Sequence, residues 1–190
     1  REMISGMSEK LTRLAKDNSV RVVVLTGAGG AFCSGGDVKS FAANAGAKVD
    51  LNERIQDLRE RSEVSRLLHE MPKPTLAVIP GPAAGAGFSL AMACDMRIAA
   101  DDAKITTAFS KVGLSGDFGG SYFLTKLLGE AKAKELYFTA DVVLGKEAEK
   151  IGMVNKSVPA DELPAAAAEM AKRLASLPTI AVGYMKKNIN

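Results

Sequence analysis

Two glycine-rich stretches and one aspartate hold most of the residues that could do chemistry in this chain. The first stretch, Ala28 to Lys39, reads AGGAFCSGGDVK, and the second, Gly81 to Leu90, reads GPAAGAGFSL. Each follows an apolar run, Val22 to Leu25 and Leu76 to Ile79, so each is predicted to be a loop at the end of a buried strand. Small residues let the main chain approach a ligand closely, because no large side chain intervenes. Where such a loop enters a helix, its free N–H groups and the helix dipole favour an oxygen carrying negative charge. Backbone amides are therefore the working groups to expect, and two such loops could hold one oxyanion between them.

The alternatives for these residues fail on spacing. A phosphate-binding loop of the Walker type needs Lys and Ser or Thr after its last glycine, and Gly36 is followed by Asp37. A dinucleotide fingerprint starting at Gly27 and Gly29 would need glycine where Phe32 stands. His69 is the one histidine, near the end of an amphipathic helix, where a surface imidazole interacting with the helix C-terminus is the simplest reading. None of Ser34, Ser89 and Ser115 sits in a G-x-S-x-G elbow, so neither a serine hydrolase nor a metal site is indicated. What remains is amides plus an acid. Asp117, in a loop flanked by Leu114 and Phe118, is the candidate acid, although spacing alone favours a helix N-cap. Asp37 invites a turn or cap reading more strongly, and Cys33 that of a packed small side chain.

Strands that could carry these loops alternate with helices. Strands are predicted at Val20 to Thr26, Thr75 to Ile79, Asp95 to Ala100, Lys104 to Thr107 and Met153 to Val158. Helices are predicted at Arg1 to Lys16, Glu53 to Met71, Ser89 to Ala93, Ser121 to Leu128, Lys132 to Thr139, Lys146 to Lys150, Ala160 to Leu177 and Thr179 to Asn190. In the second of these, Ile55, Leu58, Val64, Leu67, Leu68 and Met71 form one apolar face. Ser40 to Asn52 is a flap by composition. The pattern argues an α/β fold with a mainly parallel sheet. The chain begins and ends inside helices, so segments are expected beyond both ends.

Composition excludes several functions. At 190 residues with 47% apolar and 25% charged content, the chain reads as one large globular unit. A net charge of +3 is too small to argue for nucleic acid. No stretch suits a membrane span or a secretory leader, and Cys33 and Cys94 lack metal-ligand spacing. A cytoplasmic protein with reduced thiols is the expectation.

Several stretches resemble the crotonase family of enoyl-CoA hydratases and isomerases, in the family's order and over essentially the whole length. They are AFCSGGDVKSF, PKPTLAVIPGPAAGAGFSLAMACDMRIAADDAKITTAFSKVGL, DFGGSYFL and AKELYFTADVVLGKEAEKIGMVNKSVPADEL. The resemblance implies a spiral of ββα units over residues 1–158. Residues 159–190 would start a C-terminal helical region that assembles trimers or pairs of trimers. It implies no bound cofactor; coenzyme A enters as the thioester part of the substrate.

Carried over by position, the resemblance assigns the two amides of the oxyanion hole to Ser34 and Ala86, the latter replacing a usual glycine. Further substrate and CoA contacts fall on Ala31, Phe32, Cys33, Gly35, Gly36, Asp37 and Val38. Gly85, Phe109, Gly113, Leu114 and Phe118 complete them. The two glutamates of the hydratases are replaced here by Ser89 and Phe109. The string VGLSGDFGG is similar instead to members that keep one aspartate, here Asp117, with Gly116 in place of a frequent proline. This raises the catalytic reading of Asp117 above the cap and favours isomerisation of an enoyl-CoA. Burial beside Phe109, Leu114 and Phe118 should raise its pKa. Hydration and a non-catalytic acyl-CoA binder remain the other readings. Dehalogenation ranks below them, because His69 does not match the place of the histidine those enzymes use.

Overall fold

The computed structural model describes residues 2–36 and 50–190. Asp37, Val38 and the flap up to Val49 lie outside these described residues.

Helix α1, Glu2–Lys16, leads through a turn closed by Val20 N on Asp17 O into strand β1, Val23–Thr26. That turn is why the strand starts three residues later than Val20. Helix α2, Leu51–Glu70, follows, capped by the Asp50 side chain on Asn52 N. Its burial begins at Val64, and Ile55 and Leu58 stay exposed, so only the second half of the predicted apolar face is used. Strand β2, Thr75–Ile79, is buried at every residue, as expected for the centre of a parallel sheet covered on both faces.

Two successive units then repeat one plan. β2 is followed by the short strand β3, Ala83–Ala84, and by helix α3, Ala86–Ala93; β4, Met96–Ala100, is followed by β5, Lys104–Thr106, and by helix α4, Gly120–Thr139. The first strand of each unit joins one sheet and the second joins another. The first sheet has the order β1-β2-β4-β7, where β7 is Lys156–Val158, and is parallel throughout, with Val23 opposite Thr75, Leu76 opposite Met96, and Ile98 opposite Lys156. The second has the order β3-β5-β6, where β6 is Val143–Leu144 and runs antiparallel. Helix α5, Gly145–Lys150, strand β7, Lys156–Val158, and helices α6, Leu163–Ser176, and α7, Thr179–Ile189, complete the chain. The fold is thus α/β with the ββα spiral of the crotonase type.

Helix α3 lies within the core: Gly87 to Ala93 are all buried, and only a run of small and apolar residues could pass there. Gly129, with φ 77° and ψ 167°, breaks α4 into the two predicted helical runs. Strand β7 is shorter than predicted because Met153 N and Val154 N both turn back to Ala148 O. Helix α7 is fastened by Lys186, whose buried ammonium donates to Leu68 O (2.8 Å), Lys73 O (3.2 Å) and Asp95 Oδ2 (2.8 Å). No helix among the described residues is long and apolar enough to cross a membrane.

Candidate active site

The two glycine-rich loops meet through main-chain bonds. Phe32 N and Cys33 N both donate to Pro82 O, at 3.0 and 3.1 Å, and Ala84 N donates to Cys33 O at 2.9 Å. Cys33 therefore pairs with Ala83 as a one-residue parallel strand, an extension of the second sheet. Gly87 permits this contact: a Cβ there would lie 2.6 Å from Cys33 Cβ and 2.8 Å from the Cys33 carbonyl carbon. Gly85, at φ 54° and ψ −121°, turns the chain into α3, so Ala86 carries the first amide of the helix. Neither Ser34 N nor Ala86 N has an acceptor among the described residues.

Ser34 was expected to supply the partner amide. Pairing at Cys33 turns that residue's N–H and C=O toward β3, so by alternation the Ser34 N–H leaves on the other edge. Gly35 follows at φ 94°, and a Cβ there would lie 3.5 Å from Ala86 N. Ala31, Phe32, Cys33 and Gly36 share this segment, with Phe32 buried and Gly36 exposed.

Asp117 sits in a strained turn at the start of α4. Its carbonyl accepts from Gly120 N at 3.1 Å, and the two residues between, Phe118 and Gly119, have φ of 50° and 75°. The N-cap of α4 is Gly119, with no side-chain cap bond. The cap reading that spacing favours for Asp117 is thus overturned: Oδ1 is buried and has no partner among the described residues. Burial pushes the carboxyl above the usual aspartate range, partly opposed by the Arg61 guanidinium on α2. Phe109 and Phe118 are buried, whereas Leu114 is 49% exposed. Gly113, at φ 68°, ends the short 3-10 turn Ser110–Val112 and has open space around it.

Phe109 links the amides to the acid. Its ring is 3.7 Å from the Cβ position of Gly85 on one side and 3.7 Å from that of Gly116 on the other. It also stacks on Tyr137, ring centroids 6.0 Å apart and 12° from parallel. Ser89 is fully buried with Oγ donating to Gly85 O at 3.3 Å. Sequence reasoning missed Tyr137 and Arg61, because one lies in the last turn of a helix beside Leu136 and Phe138 and the other among alternating charges.

His69 also departs from the expected surface imidazole. It packs edge-on against Phe123 (5.0 Å) and Tyr122 (6.2 Å), and burial, reinforced by Lys186, holds its pKa below the ordinary value. Two clefts, of about 1310 and 460 Å³, open along α7 and share His69, and neither is lined by Asp117, Ser34 or Ala86. Cys33 and Cys94 are free thiols, and burial raises Cys94 to about 12. Among the described residues no group of three or more His, Cys, Asp or Glu could hold a metal ion.

Residues 1–190 match a protein-family model described as enoyl-CoA hydratase/isomerase. The chain belongs to that family. Within this enoyl-CoA hydratase/isomerase, or crotonase, family, it is 35% identical to 1,2-epoxyphenylacetyl-CoA isomerase of Escherichia coli K12, covering all of this chain and 72% of that one. It is 34% identical to crotonyl-CoA hydratase of Syntrophomonas wolfei, again over 100% of this chain and 72% of the relative. The crystal structure of an enoyl-CoA hydratase from Polaromonas sp. JS666 superposes with a TM-score of 0.91 at 34% identity, over 98% of this chain and 72% of the other. The family's relatives thus carry both isomerase and hydratase names.

Proposed function

We propose that this family member moves the double bond of a β,γ-unsaturated acyl-CoA. Asp117 removes the α-proton; the thioester becomes an enolate held by the N–H groups of Ser34 and Ala86. The same carboxyl returns the proton to the γ carbon, so the double bond ends between the α and β carbons and no net proton is consumed. The carrying observation is that Asp117, joined to the amide loop through the Phe109 ring, is not a cap and has a buried Oδ1 without a partner among the described residues. Its raised pKa makes it a stronger base. Amide donors act where charge develops, so the acid and the helix N-terminus divide the work.

Ser89 and Phe109 support isomerisation over hydration. The Ser89 hydroxyl donates to Gly85 O and the Phe109 ring is buried in a stack, so these two positions supply no pair of carboxylates to bracket an attacking water. The likeness to a crotonyl-CoA hydratase favours hydration as the second reading. Assembly into trimers belongs to the same proposal, with the exposed Ile180, Tyr184 and Ile189 of α7 as available surface. The test is turnover of trans-3-hexenoyl-CoA beside hydration of crotonyl-CoA, for wild type and Asp117→Asn. A loss of about a thousandfold in isomerisation is expected of the variant. Full isomerase turnover by Asp117→Asn, or a wild type that only hydrates, overturns the proposal.

A further inference from the structure

We propose that Tyr137 is a positioning residue for Asp117: its hydroxyl donates to Asp117 Oδ1 when substrate is bound, leaving the other carboxylate oxygen to take the proton. This rests on Asp117 being the base.

Two of the buried polar atoms without a partner among the described residues are Asp117 Oδ1 and the Tyr137 hydroxyl. One is an acceptor lacking a donor and the other a donor lacking an acceptor. Each orphan costs about 1–3 kcal/mol if it stays unpaired. They belong to one place: the turn carrying Asp117 wraps the phenol end of Tyr137. The hydroxyl is 3.6 Å from the Cβ position of Gly116 and 2.7 Å from that of Gly120, the residues flanking the turn. Asp117 is close enough for its charge to act on the phenol, which burial and that charge together push upward. The ring is stacked on Phe109 and edge-on to Phe88 at 6.4 Å, which holds the hydroxyl beside the turn. Ser89 Oγ, the other hydroxyl beside Gly120, donates to Gly85 O and also interacts with the phenol, so it is the competing partner that Asp117 must displace. Catalytic hydrogen bonds are often long before substrate binds and close in the complex.

The titratable and charged groups facing Asp117 are Tyr137 on α4 and Arg61 on α2, the latter paired with Asp57. Tyr137→Phe removes one hydroxyl and keeps the stack. A donor stabilises the carboxylate, so losing it raises the pKa of the base. With trans-3-hexenoyl-CoA, Tyr137→Phe should lower kcat about tenfold, leave KM within about twofold, and move the acidic limb of kcat/KM up by about one pH unit. The Asp117 13Cγ titration in a bound saturated acyl-CoA complex should move the same way. 3-Fluorotyrosine at position 137, a stronger donor of nearly the same size, should move it down, which keeps the test decisive if Tyr137→Phe folds poorly. An unchanged limb and 13Cγ titration in both proteins overturns the role of Tyr137. If Asp117→Asn keeps wild-type turnover, it is the base assignment that falls instead.

Discussion

Gly87→Ala tests whether the contact between the two loops sets the rate. The added Cβ would meet Cys33 at 2.6 Å from its Cβ and 2.8 Å from its carbonyl carbon. Carbon atoms pack at about 3.5–4.0 Å, so the loop and helix must separate by about 1 Å. Neither side yields easily, since Cys33 donates through N to Pro82 O and accepts through O from Ala84 N, and Gly87 lies in a buried helix. Overpacking of this kind costs about 2 kcal/mol, or a fall in Tm of about 4–8 °C for a chain of this size. The kinetic effect should be larger. A misplacement of about 1 Å in a catalytic array can cost about a hundredfold, and the gap opens between Ala86 N and the turn 34–36. The assay is exchange of the α-proton of an acyl-CoA for solvent deuterium, followed by NMR, beside a thermal melt. Gly6→Ala is the control: a Cβ there meets nothing within 4 Å, and the site is in a helix, so stability should rise by about 0.5–1 kcal/mol with the rate unchanged. If Gly87→Ala exchanges at the wild-type rate, the two loops do not need to touch and the shared oxyanion site is refuted.

Other perturbations read separate parts of the fold. Because burial raises the Asp117 pKa, its cost to stability is absent below the unfolded pKa of 3.8 and sets in as pH rises through the folded value. Asp117→Asn should therefore raise Tm by a few degrees at pH 7 and by nothing below about pH 4; a lower Tm at pH 7 would contradict it. The sign for His69 is the reverse. Its folded pKa is depressed below 6.5, so its contribution is present above that pH and is lost as pH falls, and His69→Gln should flatten the drop in Tm between about pH 7 and 5. Lys186→Met strips donors from two carbonyls and Asp95, which keeps Thr75 N (2.7 Å) and Thr75 Oγ1 (3.0 Å); a loss of about 2–4 kcal/mol is expected. Hydrogen exchange should show α7 losing protection first, and uniform loss across the chain would argue against the latch.

Much of the scaffold was legible because its signals are local. The buried run at Thr75 to Ile79, the apolar helix after it and the break before Lys132 all show in the order of residues. The two-residue strands Ala83–Ala84 and Val143–Leu144 were not, since two residues carry no periodicity and their pairing is wholly long-range. The glycine loops announced an amide site, but which amide of the turn 34–36 faces Ala86 depends on the bridge at Cys33, a contact spanning fifty residues. Asp117 was legible as a candidate and illegible in role: the same D-F-G-G string would suit a cap, and only the backbone at Phe118 and Gly119 excludes it. Tyr137 carried no local signal, because its partner loop is some twenty residues upstream.

The turn that presents Asp117 is held against its own backbone preference. Phe118 at φ 50° is a left-handed non-glycine residue, which costs about 1–3 kcal/mol. Burying its side chain returns about 1.5–3 kcal/mol, so the ring holds the turn in place and the turn aims the carboxyl inward rather than over the helix end. Gly116 completes the arrangement. Its φ of 109° is closed to proline, whose ring fixes φ near −65°, and its bare Cα faces Tyr137 at a distance where even a Cβ would be 3.1 Å from the ring. A proline before Asp117 would therefore need another path for this loop and would displace the tyrosine. Gly116 and Tyr137 thus constrain each other, because only a bare Cα lets the phenol ring lie this close to the turn that carries Asp117.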